Sequence, residues 1–312
     1  MKIKRIVSFL PSATELIYEF GNQELLYGVT HECKYPKEAQ TKSQIINSVI
    51  DSETLSSNEI NNQICQLLDE GKEIFILDEK KLLKAKPDLI ITQKTCQVCA
   101  AYDNQVDRAV TLLPQKPQVY SMDPHNLDEI LTSVTEIGHV LERSKKAEQI
   151  RTNLEKRISH IQKFVKEKKL RILAVEWVEP FFTAGHWIPE MIEYAGGINL
   201  ISKKGERSRI MKFDEISNSD PEIIIFMPCG FSGKRTIEEY NKILKPHQEW
   251  NRLEAVKNKK IFAVDANSFF SKPSIRTITG LEILAKIIQP EHFENLNVPK
   301  NSYFNILEPK ET

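Results

Sequence analysis

Four of the five cysteines follow short apolar segments that are typical of buried strands. Cys96 and Cys99 form a Cys-x-x-Cys pair just after "DLIIT", while Cys33 and Cys229 follow "LLYGVT" and "PEIIIF". Thiolates bind zinc and iron strongly, so these four side chains together have the donors for a zinc ion or an iron–sulfur cluster. Two alternatives stay open: all four are small buried side chains, or Cys96 and Cys99 are a thiol redox pair.

The fifth cysteine lies in a different setting. Cys65 falls within "NNQICQLL", a segment with the spacing of an amphipathic helix. We predict that it lies on the apolar face of this helix and packs in the core.

Other reactive side chains cluster near the same predicted strand ends. Histidine can ligate a metal or transfer a proton, tryptophan offers a flat apolar face, and arginine suits carboxylate or phosphate groups. The ordinary alternatives are a hydrogen-bonded loop histidine, a packed tryptophan and a solvated arginine. The candidate ligand-binding residues from this pattern are His31, Glu32, Glu176, Trp177, His186, Trp187 and Arg235.

The composition fits a globular protein of two domains. The chain has 312 residues, 40% of them hydrophobic, and its 43 lysines and arginines balance its 43 aspartates and glutamates. A net charge of zero argues against a nucleic-acid or membrane-surface role. No segment approaches the ~18 consecutive apolar residues of a membrane span.

The N-terminal segment resembles a first strand more than a secretory signal. Its apolar run, "IVSFL", is five residues long and is interrupted by Pro11 and Ser12. We therefore expect a cytoplasmic protein. In a reducing compartment, cysteines act more often as ligands or catalysts than in disulfides.

Strand-like and helix-like segments alternate in both halves of the chain, which predicts an α/β fold with mostly parallel sheets. Residues 127–169 contain no proline and one glycine, so they are predicted as a helical connector that breaks near Arg143 to Lys145. The predicted division is 1–126, 127–169 and 170–312, with residues 297–312 loosely held. Ligands of open α/β sheets bind at the carboxyl ends of strands, which predicts a cleft between two lobes.

Five segments together resemble a known family. "RIVSFLPSATELIYEFG", "LLYGVTHECKYP", "LLKAKPDLIITQ", "PFFTAGHWIPEMIEYAGGINLI" and "SDPEIIIF" are similar to the substrate-binding proteins of cobalamin and ferric-chelate importers, over about Lys4 to Pro290. The resemblance implies two α/β lobes joined by a long helix, as in class III substrate-binding proteins. It also implies a small-molecule metal chelate as ligand, with a corrinoid such as cobalamin nearest, and an ABC permease as a possible partner.

The chain also departs from that family. The positions that match the aromatic clamp of the cobalamin-binding members are Ile74 and Phe213, so the resemblance adds only Phe213 to the candidate ligand-binding residues. The permease-docking glutamates fall near Lys80 and Ser219, with Glu79 adjacent. Both departures weaken the implied importer role. The motifs "HEC", "CxVCA" and "PCGF" together resemble a branch without an export signal that is labelled cobalamin-binding.

Three function hypotheses follow. The first is a cytoplasmic binding protein that holds a metal-containing small molecule, most simply a corrinoid, in an interlobe cleft. The second is an enzyme that carries an iron–sulfur cluster on Cys33, Cys96, Cys99 and Cys229 for redox or sulfur chemistry. The third is an importer subunit whose export signal lies upstream of this sequence.

Overall fold

The computed structural model describes residues 2–94, 103–165 and 169–308. Two mixed α/β units are present, which confirms the predicted fold class. Among the described residues, no helix combines the length and the apolar character needed to cross a membrane. Unit 1 comprises Met1–Leu55, Glu59–Pro124 and Asp128–Thr152, and unit 2 comprises Ser56–Asn58, His125–Leu127 and Asn153–Thr312.

A six-stranded sheet organises unit 1. Its strands are β1 (Ile6–Ser8), β2 (Leu26–Thr30), β3 (Gln44–Ser48), β4 (Phe75–Leu77), β5 (Leu89–Gln93) and β6 (Gln118–Met122). They lie in the order β4-β3-β2-β1-β5-β6, and only β4 is antiparallel to its neighbour. The first four helices are α1 (Pro11–Glu19), α2 (Ser57–Asp69), α3 (Glu79–Ala85) and α4 (Asp103–Leu112).

Local sequence explains where several of these elements lie. All five side chains of β5 are buried, as expected for a parallel strand covered on both faces. Pro11 opens α1 because its missing amide hydrogen is not needed in the first turn. The Asp78 side chain accepts a hydrogen bond from the Lys81 amide and so caps α3.

The predicted helical connector consists of two helices. They are α5 (Leu127–Val140) and α6 (Ser144–Phe164), and Glu142 between them adopts a left-handed backbone with φ 56°. The break predicted near Arg143 to Lys145 is therefore confirmed. Residues 128–152 belong to unit 1 and the remainder of α6 to unit 2.

Unit 2 is built on a second sheet. Its strands are β7 (Leu170–Trp177), β8 (Phe182–Thr183), β9 (Gly197–Asn199), β10 (Ile223–Phe226), β11 (Ile261–Val264) and β12 (Tyr303–Asn305). The order is β12-β11-β10-β7-β8, with β9 paired to the start of β7; β8 and β12 are antiparallel. The helices are α7 (Ile188–Tyr194), α8 (Phe213–Ser219), α9 (Gly233–Ile243), α10 (Glu254–Lys257), α11 (Ala266–Phe269) and α12 (Thr277–Ile288).

The C-terminal segment is more ordered than its composition predicts. Tyr303–Asn305 forms the edge strand β12 on β11, and Ile306 is buried. The Phe304 ring lies so close to Gly233 that a Cβ at that glycine would be 2.7 Å from it. The expectation of a loosely held terminus was wrong for these residues, because their apolar side chains pack against the sheet.

Cys65 is exposed, so the prediction that it packs in the core was wrong. The buried or half-buried stripe of α2 runs through Ser57, Ile60, Ile64 and Leu67, at intervals of three or four residues. Cys65 follows Ile64 directly and is rotated about 100° away from that stripe.

Candidate functional site

The carboxyl end of β7 carries a glutamate whose surroundings raise its pKa. Its carboxylate accepts a hydrogen bond from the Ser208 hydroxyl, whose oxygen in turn accepts one from the Gly185 amide at 3.2 Å. Burial raises the pKa of Glu176 above the ordinary glutamate value, and the Ser208 hydroxyl and the nearby Gly185 amide only partly offset this effect. A Cβ at Gly185 would lie 2.5 Å from the Glu206 carbonyl oxygen, so the absence of a side chain lets the loop with Ser208 approach.

His186 follows Gly185 and faces a second histidine. Its backbone is left-handed, with φ 54°; its amide donates to the Glu206 carbonyl at 2.7 Å, and its carbonyl accepts from the Gly205 amide at 2.9 Å. The Nδ1 atoms of His186 and His125 are 3.4 Å apart, and the ring centroids are 5.5 Å apart. Two imidazoles therefore meet in unit 2, one from each of two distant segments.

Trp187 is buried at 5% exposure, and its indole N–H donates to the Phe270 carbonyl at 3.1 Å. Its ring lies 5.7 Å from that of His186. These contacts anchor the backbone that carries His186.

Trp177 belongs to a stack of two aromatic rings and one cation. The Trp177 ring packs edge-on against Phe231, with centroids 5.3 Å apart, and the Arg235 guanidinium carbon lies 3.6 Å above the Phe231 ring. The Trp177 indole N–H donates to the Ser57 carbonyl at 3.1 Å. Phe231 is only 1% exposed, so the accessible groups of this stack are the half-buried Trp177 ring and the Arg235 guanidinium. An aromatic ring beside a positive charge suits a flat ligand with carboxylate or amide edges.

Two buried glutamates of unit 2 accept hydrogen bonds from helix-initial amides. Glu190 accepts from Leu127 N at 2.8 Å and forms an ion pair with Lys204. Glu239 accepts from Ser57 N at 2.6 Å. Both carboxylates hold backbone segments beside the histidine pair and the aromatic stack.

Phe213, the clamp position implied by the family resemblance, begins α8. Its half-buried ring packs on the core of unit 2, with its centroid 6.5 Å from that of Trp250. A shallow surface depression of about 370 Å³ borders it, also lined by Asp214, Arg252 and Glu254.

The first-half candidates directly follow β2 in unit 1. His31 Nε2 lies 3.6 Å from a Glu32 carboxylate oxygen, and its Nδ1 is 3.4 Å from the Ile46 carbonyl. Cys33 is only 2% exposed, with its Sγ 3.1 Å from the Thr14 hydroxyl. In this arrangement the thiol is enclosed and hydrogen-bonded.

The predicted four-cysteine centre stays a prediction. Cys229 is half-buried just after β10, and its amide donates to the Glu176 carbonyl at 3.1 Å. Cys96 and Cys99 lie outside the described residues. Within residues 2–94, 103–165 and 169–308, no group of three or more histidine, cysteine or acidic side chains is arranged to hold a metal.

Unit 2 therefore gathers Glu176, Trp177, His186 and Arg235 around strand ends and their loops, whereas His31 and Glu32 belong to unit 1. Sequence reasoning missed His125. This residue comes three positions after β6, so the strand-end rule that selected the cysteines would also have selected it.

The chain has two α/β units, and aromatic, cationic and imidazole groups lie beside strand ends. These features are typical of proteins that bind small molecules. The chain belongs to the family described as periplasmic binding protein, which matches residues 6–268. It is 23% identical over 300 residues to the uncharacterized ABC transporter substrate-binding lipoprotein YvrC of Bacillus subtilis, covering 93% of this chain and 82% of that protein.

Two further similarities concern proteins whose ligands are known by name. The vitamin B12-binding protein of Vibrio cholerae is 20% identical over 283 residues, covering 89% of this chain and 87% of its own. A periplasmic heme binding protein from Pseudomonas aeruginosa has a similar structure, with a TM-score of 0.71, 14% identity, and coverage of 93% of this chain and 94% of its own. The structural similarity establishes the fold.

Proposed function

We propose that this protein is a substrate-binding protein for a metal-containing small molecule, with a corrinoid as the first candidate. The observation that carries the proposal is the stack of Trp177, Phe231 and Arg235 at the carboxyl side of β7 and β10. A corrinoid is a broad, flat ring system with polar edges, and half-buried Trp177 offers an aromatic ring beside the positive charge of Arg235. The similarity to a vitamin B12-binding protein supports the same ligand class.

Glu176 and Ser208 add a polar component near the stack. A glutamate with a raised pKa holds a proton over a wider pH range, so it can donate a hydrogen bond to a carbonyl group of the ligand. Corrinoids carry amide groups at their edge, which accept and donate hydrogen bonds. This role is part of the proposal and depends on the same ligand class.

Binding is tested by titrating the purified protein with cyanocobalamin, dicyanocobinamide and hemin while tryptophan fluorescence is recorded. We expect saturable quenching by at least one corrinoid at micromolar concentration. Trp177→Leu and Arg235→Ala should each weaken binding about tenfold, which corresponds to about 1.4 kcal/mol. Arg171→Ala is the matched control, since this arginine lies at the start of β7, at the opposite end of the strand from Trp177, and pairs with Asp220 and Glu222.

Two outcomes would redirect the proposal. Saturation by hemin without any response to the corrinoids would make an iron porphyrin the ligand. Absence of binding to all three compounds at 100-fold higher concentration would remove metal tetrapyrroles from consideration.

The partner and the location are separate parts of the proposal. The N-terminal apolar run forms the buried strand β1, with Ile6 and Val7 at 0% exposure, so these residues serve the fold. We propose a cytoplasmic location, which fractionation of cells with an antibody against the protein tests. Recovery in the cell envelope would instead assign it to a permease as an importer subunit. The expected ligand position between the lobes stays a prediction.

A further inference from the structure

The spacing of two imidazole nitrogens in unit 2 matches a pair of metal ligands. The Nδ1 atoms of His125 and His186 are 3.4 Å apart. Two histidine nitrogens that each lie 2.0–2.1 Å from a zinc ion, at the tetrahedral angle, are separated by about 3.4 Å. We propose that His125 and His186 bind a divalent transition-metal ion, such as Zn²⁺ or Co²⁺, through their Nδ1 atoms.

Backbone anchors hold the His186 ring in place. Its amide and carbonyl are hydrogen-bonded to Glu206 and Gly205 within a left-handed turn, and the Trp187 indole is tied to the Phe270 carbonyl. These hydrogen bonds hold the backbone from which the His186 ring extends. A pre-positioned ligand loses little conformational entropy when the metal binds.

The His125 ring is anchored through its own segment. Two residues further along, the Leu127 amide donates to the buried Glu190 carboxylate at 2.8 Å, and Lys204 pairs with the same carboxylate. Loss of this hydrogen bond would remove one anchor of the segment that carries His125. Both segments belong to unit 2, so the distance between the two imidazole rings is set within that unit.

Without metal, the same distance accommodates one N–H···N hydrogen bond, in which one ring carries its proton on Nδ1. Metal binding through both Nδ1 atoms requires both neutral rings to carry their protons on Nε2. That proton moves between the two nitrogens of one ring through solvent, so no net proton is released from the neutral pair. Protons compete with the metal at low pH, because a histidine ligand must be neutral.

Two imidazoles leave the remaining coordination positions to water or to a small-molecule donor. Within the part of the chain that the structure describes, no third histidine, cysteine or carboxylate completes a metal-binding group. Such an open site exchanges its metal readily, and imidazole donors favour Cu²⁺, Zn²⁺ and Ni²⁺ over Mg²⁺ or Ca²⁺. This proposal is independent of whether a corrinoid binds.

The test uses the full chain without a histidine tag, stripped of metal and with its accessible thiols alkylated, so that exposed cysteines cannot supply the ligands. Titration with Zn²⁺ by calorimetry, and with Co²⁺ by visible absorbance, should show one equivalent bound. His125→Ala and His186→Ala should each weaken binding at least tenfold. The control is His160→Ala, which removes an exposed histidine of α6 and should leave the affinity unchanged.

Wild-type protein provides a second measurement that does not depend on variants folding. Zn²⁺ should shift the ¹⁵N resonances of the two Nδ1 atoms, and both rings should carry their protons on Nε2. Unchanged affinity in the His125→Ala/His186→Ala double variant would overturn the proposal, as would zinc-induced shifts confined to other histidines. Absence of Zn²⁺ binding by the wild type at millimolar concentration would also overturn it.

Discussion

The Glu190 carboxylate accepts a hydrogen bond from the Leu127 amide at 2.8 Å, at the first residue of α5. The first amides of a helix have no intrahelical acceptor, and a negative charge there also interacts favourably with the helix dipole. Glu190 is only 3% exposed, and Lys204 neutralises its charge. The carboxylate therefore satisfies a buried amide and is itself compensated by an ion pair.

Replacement of this glutamate tests the hydrogen bond separately from the ion pair. Glu190→Ala leaves the Leu127 amide without its acceptor, so we expect the free energy of unfolding to fall by about 2–4 kcal/mol. Glu190→Gln keeps an acceptor oxygen and should lose about half as much. Urea denaturation followed by circular dichroism measures both. Lys203→Ala is the control, expected to lose less than about 1 kcal/mol because this lysine and its partner Glu206 are both exposed; a loss equal to that of Glu190→Ala would contradict this account.

The raised pKa of Glu176 makes stability depend on pH in a definite direction. Between the ordinary glutamate pKa and the raised value, the folded protein binds more protons than the unfolded chain. Stability from this group is complete below the ordinary pKa and is lost as the pH rises through the raised one. Each unit by which the pKa is raised corresponds to about 1.4 kcal/mol.

Glu176→Gln removes this dependence because glutamine stays neutral and can still accept a hydrogen bond. The variant should be more stable than the wild type at pH 8, and the difference should vanish near pH 4. Urea midpoints at pH 4, 6 and 8 provide the comparison. A constant difference across this range would show that the Glu176 carboxyl titrates equally in the folded and unfolded chains.

Much of the α/β order was predictable because strong local patterns determine it. The break between α5 and α6 was visible in the polar segment at Arg143 to Lys145, and β5 was visible as the apolar run before Gln93. The strand β3 was missed because its two buried isoleucines, Ile45 and Ile46, are flanked by polar residues. Their burial comes from neighbouring strands and helices and has no local signature.

The candidate site was predictable only in part. Glu176 and Trp177 could be selected because they end a recognisable strand, and His186 because it follows Gly185. The pairing of His125 with His186 could not, since 61 residues separate them and neither segment shows a ligand spacing. Fold topology alone brings these two rings together.

Gly138 on α5 is required by the close approach of α6. A Cβ at this position would lie 2.2 Å from the Ala147 Cβ, which is far inside van der Waals contact. Gly138→Ala should therefore lower the free energy of unfolding by about 1–3 kcal/mol, although alanine favours helix by about 1 kcal/mol. The measurement is the urea midpoint. Adding Ala147→Gly should recover part of the loss, and strictly additive effects of the two changes would rule out this contact as the cause.

The cysteines should differ sharply in reactivity, because alkylation requires access to the thiolate. Cys65 is exposed on α2, whereas Cys33 is 2% exposed and contacts the Thr14 hydroxyl. We expect iodoacetamide to modify Cys65 first, and Cys33 at least about 100-fold more slowly, through local opening. Peptide mapping by mass spectrometry at timed intervals measures both rates.

Cys65→Ser is the matched control, since it should remove the fast adduct without changing the urea midpoint. In urea above the unfolding midpoint, Cys33 should react as quickly as Cys65 does in the native protein. Equal rates for both cysteines in the folded protein would contradict the enclosed position of Cys33. If protection of Cys33 disappeared only when a chelator was added, a bound metal would be the cause, because burial alone is indifferent to chelators.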